Sequence, residues 1–283
     1  MSNLERLERI LNGGKGSGNR NPGRGWGPGK PGYTLSLDSL EKIFIDTYDP
    51  NHFSVKGRES YQLEAIAKEI GYDKKPVKVS NEEFNSNLNQ VLYRGVRDNI
   101  DKFTDEILKT ESEIIDEFYN GPYYAGEGKY GPGIYMSQER EYSLSPEYSQ
   151  SGRLIEAKLS DDAKIINIRQ ELETSKERKF REGFIEFKTS KSNEYLKKSE
   201  AEYRKRNNDL GERYEQIAEC YSYLEETTYA ALKGYDAVQD NNGEYVVLNR
   251  GKLIYTDKTT NFIDLDELLF LRNGIINLEL NKK

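Results

Sequence analysis

The order of strand-like and helix-like segments is the feature that most constrains the fold. Six short runs rich in β-branched or aromatic residues predict strands: VLYRGV (91–96), GIYMS (133–137), GRLIEAKLS (152–160), AKIINI (163–168), GYDAV (234–238) and EYVVLN (244–249). They do not alternate one by one with helices, as the strands of a doubly wound parallel sheet do. The sequence therefore predicts an α+β fold with a split, mostly antiparallel β core and flanking helices.

Apolar residues three and four positions apart predict the helices. SLDSLEKIFIDTY (36–48) and ESYQLEAIAKEIG (59–71) precede the first strand, and DNIDKFTDEILKTESEIIDEFYNG (98–121) follows it. A long charged helical stretch runs from roughly residue 190 to 232. The turn QDNNG (239–243) contains an Asn-Gly pair, which predicts a tight reversal between the last two strands.

Composition divides the chain into four parts. Residues 11–32 are rich in Gly, Pro and Asn, with four basic residues and no acidic one, so they cannot bury a core. We therefore predict that residues 1–32 form a flexible basic arm, which is either a solvated linker or an interaction tail. A helical N-terminal segment (33–75) and the main domain (76–256) follow, and a C-terminal appendage (257–283) either packs on the domain or binds a partner.

Composition also argues against several functional classes. The net charge of -7 argues against general affinity for nucleic acid or anionic membranes, because neutralising phosphates needs clustered Lys and Arg. The single cysteine, Cys220, and the single histidine, His52, leave no cluster with metal-ligand spacing and no internal disulfide. No apolar run approaches the roughly 18 residues of a membrane span, so we expect no membrane anchor.

The first of three motifs with chemical potential is LYRGV, in which Arg94 stands near the end of a predicted strand. A guanidinium there can bind a diphosphate or a ribose through its fork of donors. The following Gly95 lets a ligand approach the backbone. The alternative is an arginine with a purely structural role.

The second motif is YGPGIYMS (130–137), in which a stiff glycine-proline turn containing Gly133 leads into a strand. Alternation along the strand points Tyr135 and Ser137 to one face. An aromatic ring at this place can stack on a planar ligand, and a hydroxyl two residues later can hold its neighbours. The alternative is a turn followed by a core tyrosine.

The third motif is GEYVVLN, in which Glu244 begins an apolar strand directly after the QDNNG turn. A short turn can present such a carboxylate to a cleft. There it can bind sugar hydroxyls, stabilise an oxocarbenium-like transition state, or orient and deprotonate an acceptor. The alternative is a surface glutamate at the start of a strand.

Together the three motifs resemble the ADP-ribosyltransferase superfamily over roughly residues 75–255. GPGIYMS is similar to the Gly-Ile-Tyr strand of the poly(ADP-ribose) polymerases, and GEYVVLN is similar to the segment with their catalytic glutamate. LYRGV instead resembles the arginine-bearing first strand of the bacterial-toxin branch. The resemblance implies an ADP-ribosyltransferase-like fold that uses NAD as a substrate.

The resemblance also implies a role for each matching residue. It makes Glu244 catalytic. The NAD-binding residues that it implies are Arg94, Gly95, Gly133, Tyr135 and Ser137. In this scheme Arg94 binds phosphate or ribose, Gly95 contacts nicotinamide through its backbone, and Tyr135 stacks on the nicotinamide ring.

Two departures from the family pattern bear on the acceptor and on turnover. Toxins that modify arginine usually have two glutamates two residues apart, whereas Asn242 stands two residues before Glu244 in this chain. Arginine is therefore not indicated as the acceptor. The Ser-Thr-Ser stretch of the toxins is reduced to Ser137 in YMSQE.

The arm, the segment GYDKKPVKVSNEEF (71–84) and the ending GYDAV to GKLI together resemble ADP-ribosyltransferase-like proteins of tailed bacteriophages. This resemblance implies a transferase that moves ADP-ribose from NAD to a host protein or nucleic acid in the bacterial cytoplasm. The alternative is a virion- or head-associated structural protein that contacts phage head proteins and has a non-catalytic domain of this kind. A nucleic-acid-binding adaptor that acts through the arm is a third hypothesis.

Overall fold

The computed structural model describes residues 35–48, 55–72, 74–96, 129–145, 153–168, 174–256 and 260–262, together with residues 113, 116, 118 and 119. The predicted arm (1–32) lies outside these residues, so its flexibility stays a prediction. The same holds for most of the helix predicted at 98–121, of which the four described residues are helical.

Seven α-helices lie within the described residues: α1 (Leu37–Thr47), α2 (Val55–Glu69), α3 (Asn81–Ser86), α4 (Arg140–Ser143), α5 (Ser175–Arg204), α6 (Asn208–Ser222) and α7 (Glu226–Leu232). The prediction of one helical stretch from roughly 190 to 232 is wrong in its start and its continuity. A capping box fixes the start, since Thr174 Oγ1 accepts from Glu177 N and the Glu177 carboxylate accepts from Thr174 N. The first break follows α5, where Arg206 has a φ of 62°.

The strands are β1 (Val77–Lys78), β2 (Val91–Gly95), β3 (Ile134–Ser137), β4 (Arg153–Leu159), β5 (Ile165–Asn167), β6 (Ala237–Gln239), β7 (Glu244–Val247), β8 (Leu253–Tyr255) and β9 (Thr260–Phe262). They form one sheet in the order β1-β8-β4-β2-β3-β7-β6-β5, and β9 pairs with β4. Only the β1–β8 and β5–β6 pairs are parallel among those described. The predicted α+β class with a mostly antiparallel sheet is confirmed.

The sheet is weakly joined at its centre. Strand β2 pairs with β4 along its whole length, and β3 pairs with β7 along its whole length. Between β2 and β3, however, the ladder consists of the single pair Tyr93 and Ser137. The sheet therefore has two halves that separate beyond this pair, in agreement with the predicted split core.

Alternation along the strands gives the sheet two distinct faces. The front face is defined by Tyr93, Tyr135, Ser137 and Glu244, and the back face by residues such as Met136. At β3, β6 and β7 the front face packs into a large apolar core with the helices, whereas the back face belongs to a second core. The polar site described below lies where the front face leaves the helical core.

Helices α1 and α2, which the sequence predicted within the helical segment 33–75, belong to this main core. Phe44 of α1 lies edge-on to Tyr221 of α6, with ring centroids 4.9 Å apart, and Leu63 of α2 is fully buried in the same cluster. Strand β9 falls in the predicted appendage (257–283) and pairs with β4, so these three residues pack on the domain, which was one of the two alternatives. The apolar faces of α1 and α2 are buried by their packing against this core.

None of the helices in the described ranges has the length and apolarity that crossing a bilayer requires.

The capping box at Thr174 gives a test of how α5 begins. We expect Thr174→Ala to lower the free energy of unfolding by about 1 kcal/mol, because the first turn loses its side-chain acceptor. Thr189→Ala, in the exposed middle of the same helix, is the matched control and should be neutral or slightly stabilising. Urea unfolding of both variants measures the difference. Equal effects would show that the cap does not determine the start of the helix.

Candidate functional site

The pairing of β3 with β7 brings two of the three sequence motifs together. Ser137 lies opposite Glu244, and Tyr135 lies opposite Val246. In an antiparallel ladder opposed residues point to the same face. Tyr135, Ser137 and Glu244 therefore share the front face, although β3 and β7 are far apart in sequence.

A row of polar side chains crosses the front face on four adjacent strands. Its members, in order from β4 to β7, are Glu156, Tyr93, Ser137 and Glu244. Helix α4 follows β3 directly and lies beside this row, because Ser143 Oγ donates to the backbone oxygen of Tyr93 at 3.1 Å. From the same helix, Tyr142 Oη donates to Glu244 Oε1 at 2.9 Å.

The turn before β7 fixes the position of Glu244. Buried Asp240 accepts hydrogen bonds through Oδ1 from Asn242 N at 2.7 Å and from Glu244 N at 3.0 Å. Its own backbone N donates to Glu244 O at 2.9 Å. Gly243, with a φ of 74°, supplies the left-handed residue of the Asn-Gly turn, as predicted. The carboxylate of Glu244 is thus presented by a turn whose polar groups are bonded to one buried aspartate.

A lysine and a tyrosine complete the surroundings of this turn. Tyr130 Oη donates to Asp240 Oδ2 at 3.3 Å, and Lys129 Nζ lies 4.0 Å from the same oxygen. The ammonium also lies 4.9 Å from the centre of the Tyr130 ring. The Tyr130 hydroxyl, and then the Asp240 and Glu244 carboxylates, raise the pKa of Lys129. The ammonium is therefore charged at neutral pH, and it is half exposed.

Tyr135 uses its hydroxyl to hold the turn that precedes its own strand. Its Oη donates to Gly131 O at 2.7 Å and accepts from Tyr130 N at 3.2 Å. Burial is the main reason why the pKa of Tyr135 lies far above its ordinary value, and the Glu225 and Glu244 carboxylates raise it further. The phenol therefore stays protonated throughout the physiological range. This gives Tyr135 a structural role besides the predicted stacking on nicotinamide.

Gly133 has a packing reason that sequence reasoning did not supply. A Cβ at Gly133, whose φ is 152°, would lie 2.4 Å from Val246 Cγ1 on β7. A Cβ at Gly131, whose φ is 106°, would lie 2.4 Å from Glu225 Cβ. Both glycines let the turn approach β7 and the start of α7 closely, and at Gly133, which the resemblance assigned to NAD, a side chain of β7 already fills the space.

The Arg94 side chain lies on the opposite face of the sheet from the side chains of Tyr135 and Glu244. Arg94 lies on the same face of the sheet as Leu92 and Val96, two residues away on either side, which belong to the back-face core. Its guanidinium lies 5.9 Å from the centre of the Phe118 ring of that core. Its side chain thus leaves the sheet on the face opposite to Glu244. The resemblance implies that the side chains of Arg94, Tyr135 and Glu244 share one site, and this expectation needs correction because the Arg94 side chain lies on the other face.

The guanidinium of Arg94 bridges the split in the sheet. Gln138 N donates to Gly243 O, so by antiparallel alternation the Tyr135 carbonyl points away from β7 and toward β2. A regular ladder would pair that carbonyl with Gly95, the last residue of β2. Instead Arg94 Nη1 donates to Tyr135 O at 2.9 Å. The arginine therefore joins the two halves where the backbone ladder has ended.

The remaining predicted residues lie along the same join. Ser137 is buried, and its Oγ accepts from Glu139 N at 3.0 Å at the start of α4. Gly95 is half-buried and paired with Leu154 of β4. Both residues therefore lie on the two edges of the split, Ser137 on the front face and Gly95 at the place where the halves separate.

Sequence reasoning missed four residues around Glu244: Lys129, Tyr130, Asp240 and Tyr142. Two of them directly precede the glycine-proline turn, and one lies in the QDNNG turn, where an Asx turn was a readable signal. Tyr142 gives no signal in the sequence, because only the placement of α4 brings it to the carboxylate.

The arrangement offers a carboxylate that directly follows a hydrogen-bonded turn and accepts from a phenol, with an ammonium group beside the aspartate of that turn. Such a group can accept hydrogen bonds from hydroxyls, stabilise a developing positive charge, or receive a proton. Within the described ranges, no group of three or more His, Cys, Asp or Glu is placed to hold a metal ion. Comparisons with models of protein families, with curated proteins and with solved structures give no match.

The bridge at Arg94 predicts a loss of stability on substitution. Arg94→Met keeps an unbranched apolar stem but leaves the Tyr135 carbonyl without this donor. We expect the free energy of unfolding to fall by about 1–3 kcal/mol, the usual cost of losing a hydrogen bond to a charged donor. Arg204→Met is the control, since its exposed ion pair with Glu200 should contribute less than about 1 kcal/mol. Equal urea midpoints for Arg94→Met and the wild type would contradict the bridge.

Proposed function

We propose that the protein is an NAD-dependent ADP-ribosyltransferase that transfers ADP-ribose to a host protein or nucleic acid. The observation that supports this proposal most is the pairing of Ser137 with Glu244, which brings the Gly-Ile-Tyr strand and the glutamate strand side by side with Tyr135 and Glu244 on one face. We also propose that the protein is a phage or prophage product that acts in the bacterial cytoplasm.

Glu244 is the catalytic residue of the proposed reaction. As the bond between nicotinamide and ribose breaks, positive charge develops on the ribose, and a fixed carboxylate stabilises it. The hydrogen bonds from the turn to Asp240 hold Glu244 in place before the substrate binds. The acceptor positions of the carboxylate oxygens that no protein donor uses can bind a ribose hydroxyl or receive the proton of the acceptor.

Lys129 is the better candidate than Arg94 for the NAD diphosphate. Its half-exposed ammonium lies on the Asp240 side of the Glu244 turn. The Arg94 guanidinium leaves from the back face and donates to a backbone carbonyl. We therefore propose that Lys129 supplies the cation at the cofactor site and that Arg94 supports the strand that presents Tyr135.

One observation favours the alternative of a virion- or head-associated structural protein. Arg94 and Tyr135, two residues that the resemblance assigns to NAD, both hydrogen-bond to the backbone of the Gly131–Tyr135 segment. A domain that no longer turns over NAD would keep such bonds for stability alone. Release of nicotinamide from NAD distinguishes the two functions, because only the transferase releases it.

Replacement of Glu244 tests the catalytic role. Glu244→Gln keeps the shape but removes the charge, so we expect kcat for nicotinamide release to fall on the order of 100-fold or more with little change in NAD affinity. Glu156→Gln, on the same face two strands beyond Ser137, is the matched control and should keep the activity. A Glu244→Gln variant as active as the wild type would show that another carboxylate acts. Wild-type protein that binds NAD but releases no nicotinamide with any host extract would favour the structural alternative.

Replacement of Lys129 tests the cation. A contact with phosphate is equally strong in the ground state and the transition state, so Lys129→Gln should raise KM for NAD by roughly tenfold and leave kcat nearly unchanged. Lys42→Gln removes an exposed lysine on α1 and should change neither parameter. An unchanged KM in Lys129→Gln would remove Lys129 from the proposed cofactor site.

A further inference from the structure

Tyr142 combines solvent exposure with direct contact to the proposed catalytic carboxylate. Its side chain lies on α4 and is 38% exposed, and its hydroxyl donates to Glu244 Oε1 at 2.9 Å. Two further tyrosines near this site, Tyr130 and Tyr135, use their hydroxyls within the fold, on Asp240 and on Gly131. Tyr142 therefore differs from both, because its hydroxyl meets the carboxylate at the surface.

The contact has the geometry that a general base and its acceptor hydroxyl need. A phenol with an ordinary pKa of about 10 is protonated at neutral pH and is a poor nucleophile until a base removes its proton. Glu244 Oε1 lies within hydrogen-bond distance of that proton. The same carboxylate stabilises the positive ribose in the proposed reaction. The phenol oxygen of Tyr142 and the ribose carbon that it attacks would therefore both lie beside Glu244.

We propose that Tyr142 is a self-modification site, the acceptor hydroxyl that the protein supplies to its own active site. This inference rests on the proposed transferase activity. The Tyr142 oxygen attacks the anomeric carbon of the nicotinamide ribose as the carbon–nitrogen bond to nicotinamide breaks, and the bonding pair leaves on the nicotinamide nitrogen. The phenolic proton passes to Glu244 and then to solvent. The products are one ADP-ribosyl tyrosine, one nicotinamide and one proton from one NAD.

Self-modification at this position would also regulate the site. The bulky, doubly charged ADP-ribose on α4 would lie beside Glu244, where the next NAD and any external acceptor must enter. The wild type should therefore release nicotinamide in an early phase of about one equivalent per chain, followed by slower turnover.

A second tyrosine of the chain provides a matched control. Tyr203 is 40% exposed, and its hydroxyl donates to Glu215 Oε2 at 2.9 Å. Exposure, chemistry and hydrogen-bond length therefore match those of Tyr142. Tyr203 and Glu215 lie on α5 and α6, and neither belongs to the proposed site.

The experiment incubates the purified full chain with NAD labelled in the adenine half and maps the label by peptide mass spectrometry. We expect one ADP-ribose on the Tyr142 peptide of the wild type and of Tyr203→Phe, and none on that peptide in Tyr142→Phe. The bond should resist hydroxylamine, which cleaves the esters that ADP-ribose forms with carboxylates but not a tyrosyl glycoside. Nicotinamide release is measured in the same samples.

The outcomes separate the two proposals. Release of nicotinamide without label on the Tyr142 peptide would overturn self-modification and leave the transferase proposal intact. Equal labelling of the Tyr142 and Tyr203 peptides would overturn it as well, because modification would then follow exposure instead of the site. Absence of nicotinamide release from the wild type, with and without host extract, would overturn the proposed function, and the inference that rests on it falls too.

Discussion

The antiparallel register between β3 and β7 is the constraint on which the candidate site depends. A shift of one residue would move Glu244 to the back face and separate it from Tyr135, because successive residues of a strand point to opposite faces. Two features oppose such a shift. The close contact of Gly133 with Val246 leaves no room for any other residue at that position, and the hydrogen bonds of Asp240 fix the turn that begins β7. Packing and hydrogen bonding thus fix the chemistry of the front face before any ligand binds.

The split between β2 and β3 places an unusual demand on one side chain. In most sheets many backbone hydrogen bonds hold neighbouring strands together, but here the backbone ladder between β2 and β3 is reduced to the pair Tyr93 and Ser137. The Arg94 guanidinium supplies the next hydrogen bond, to the carbonyl of Tyr135. An arginine is suited to this because its long stem crosses the widening gap and its fork carries a permanent charge. A residue that looks like a ligand-binding arginine in the motif therefore has a full structural explanation.

The sequence predicted six of the nine described strands and the hairpin, because their signals are local, and it did not predict the short strands β1, β8 and β9. Alternating residues define β3 and β7, and the Asn-Gly pair defines the turn at Gly243. The apolar residues Leu92 and Val96, two positions before and after Arg94, indicate that Arg94 faces an apolar core. The prediction of a ligand-binding arginine followed the resemblance to a toxin motif instead of this pattern. The contact between Tyr142 and Glu244 could not be predicted from the sequence, since it depends on how α4 packs beside β2 and β7. Local periodicity thus gives the elements, and tertiary packing decides which polar groups meet.

The distribution of polar groups over the two faces bears directly on function. On the back face Arg94 already donates to the sheet, so a charged ligand would have to compete with a backbone bond. On the front face Glu244 accepts one bond from Tyr142, while an ionised carboxylate has about four acceptor positions on its two oxygens. The half-exposed ammonium of Lys129 lies 4.0 Å from the Asp240 carboxylate of the same turn. The free acceptor positions of this carboxylate and the nearby ammonium are the groups on which the proposed binding of NAD rests, because NAD carries both ribose hydroxyls and a diphosphate.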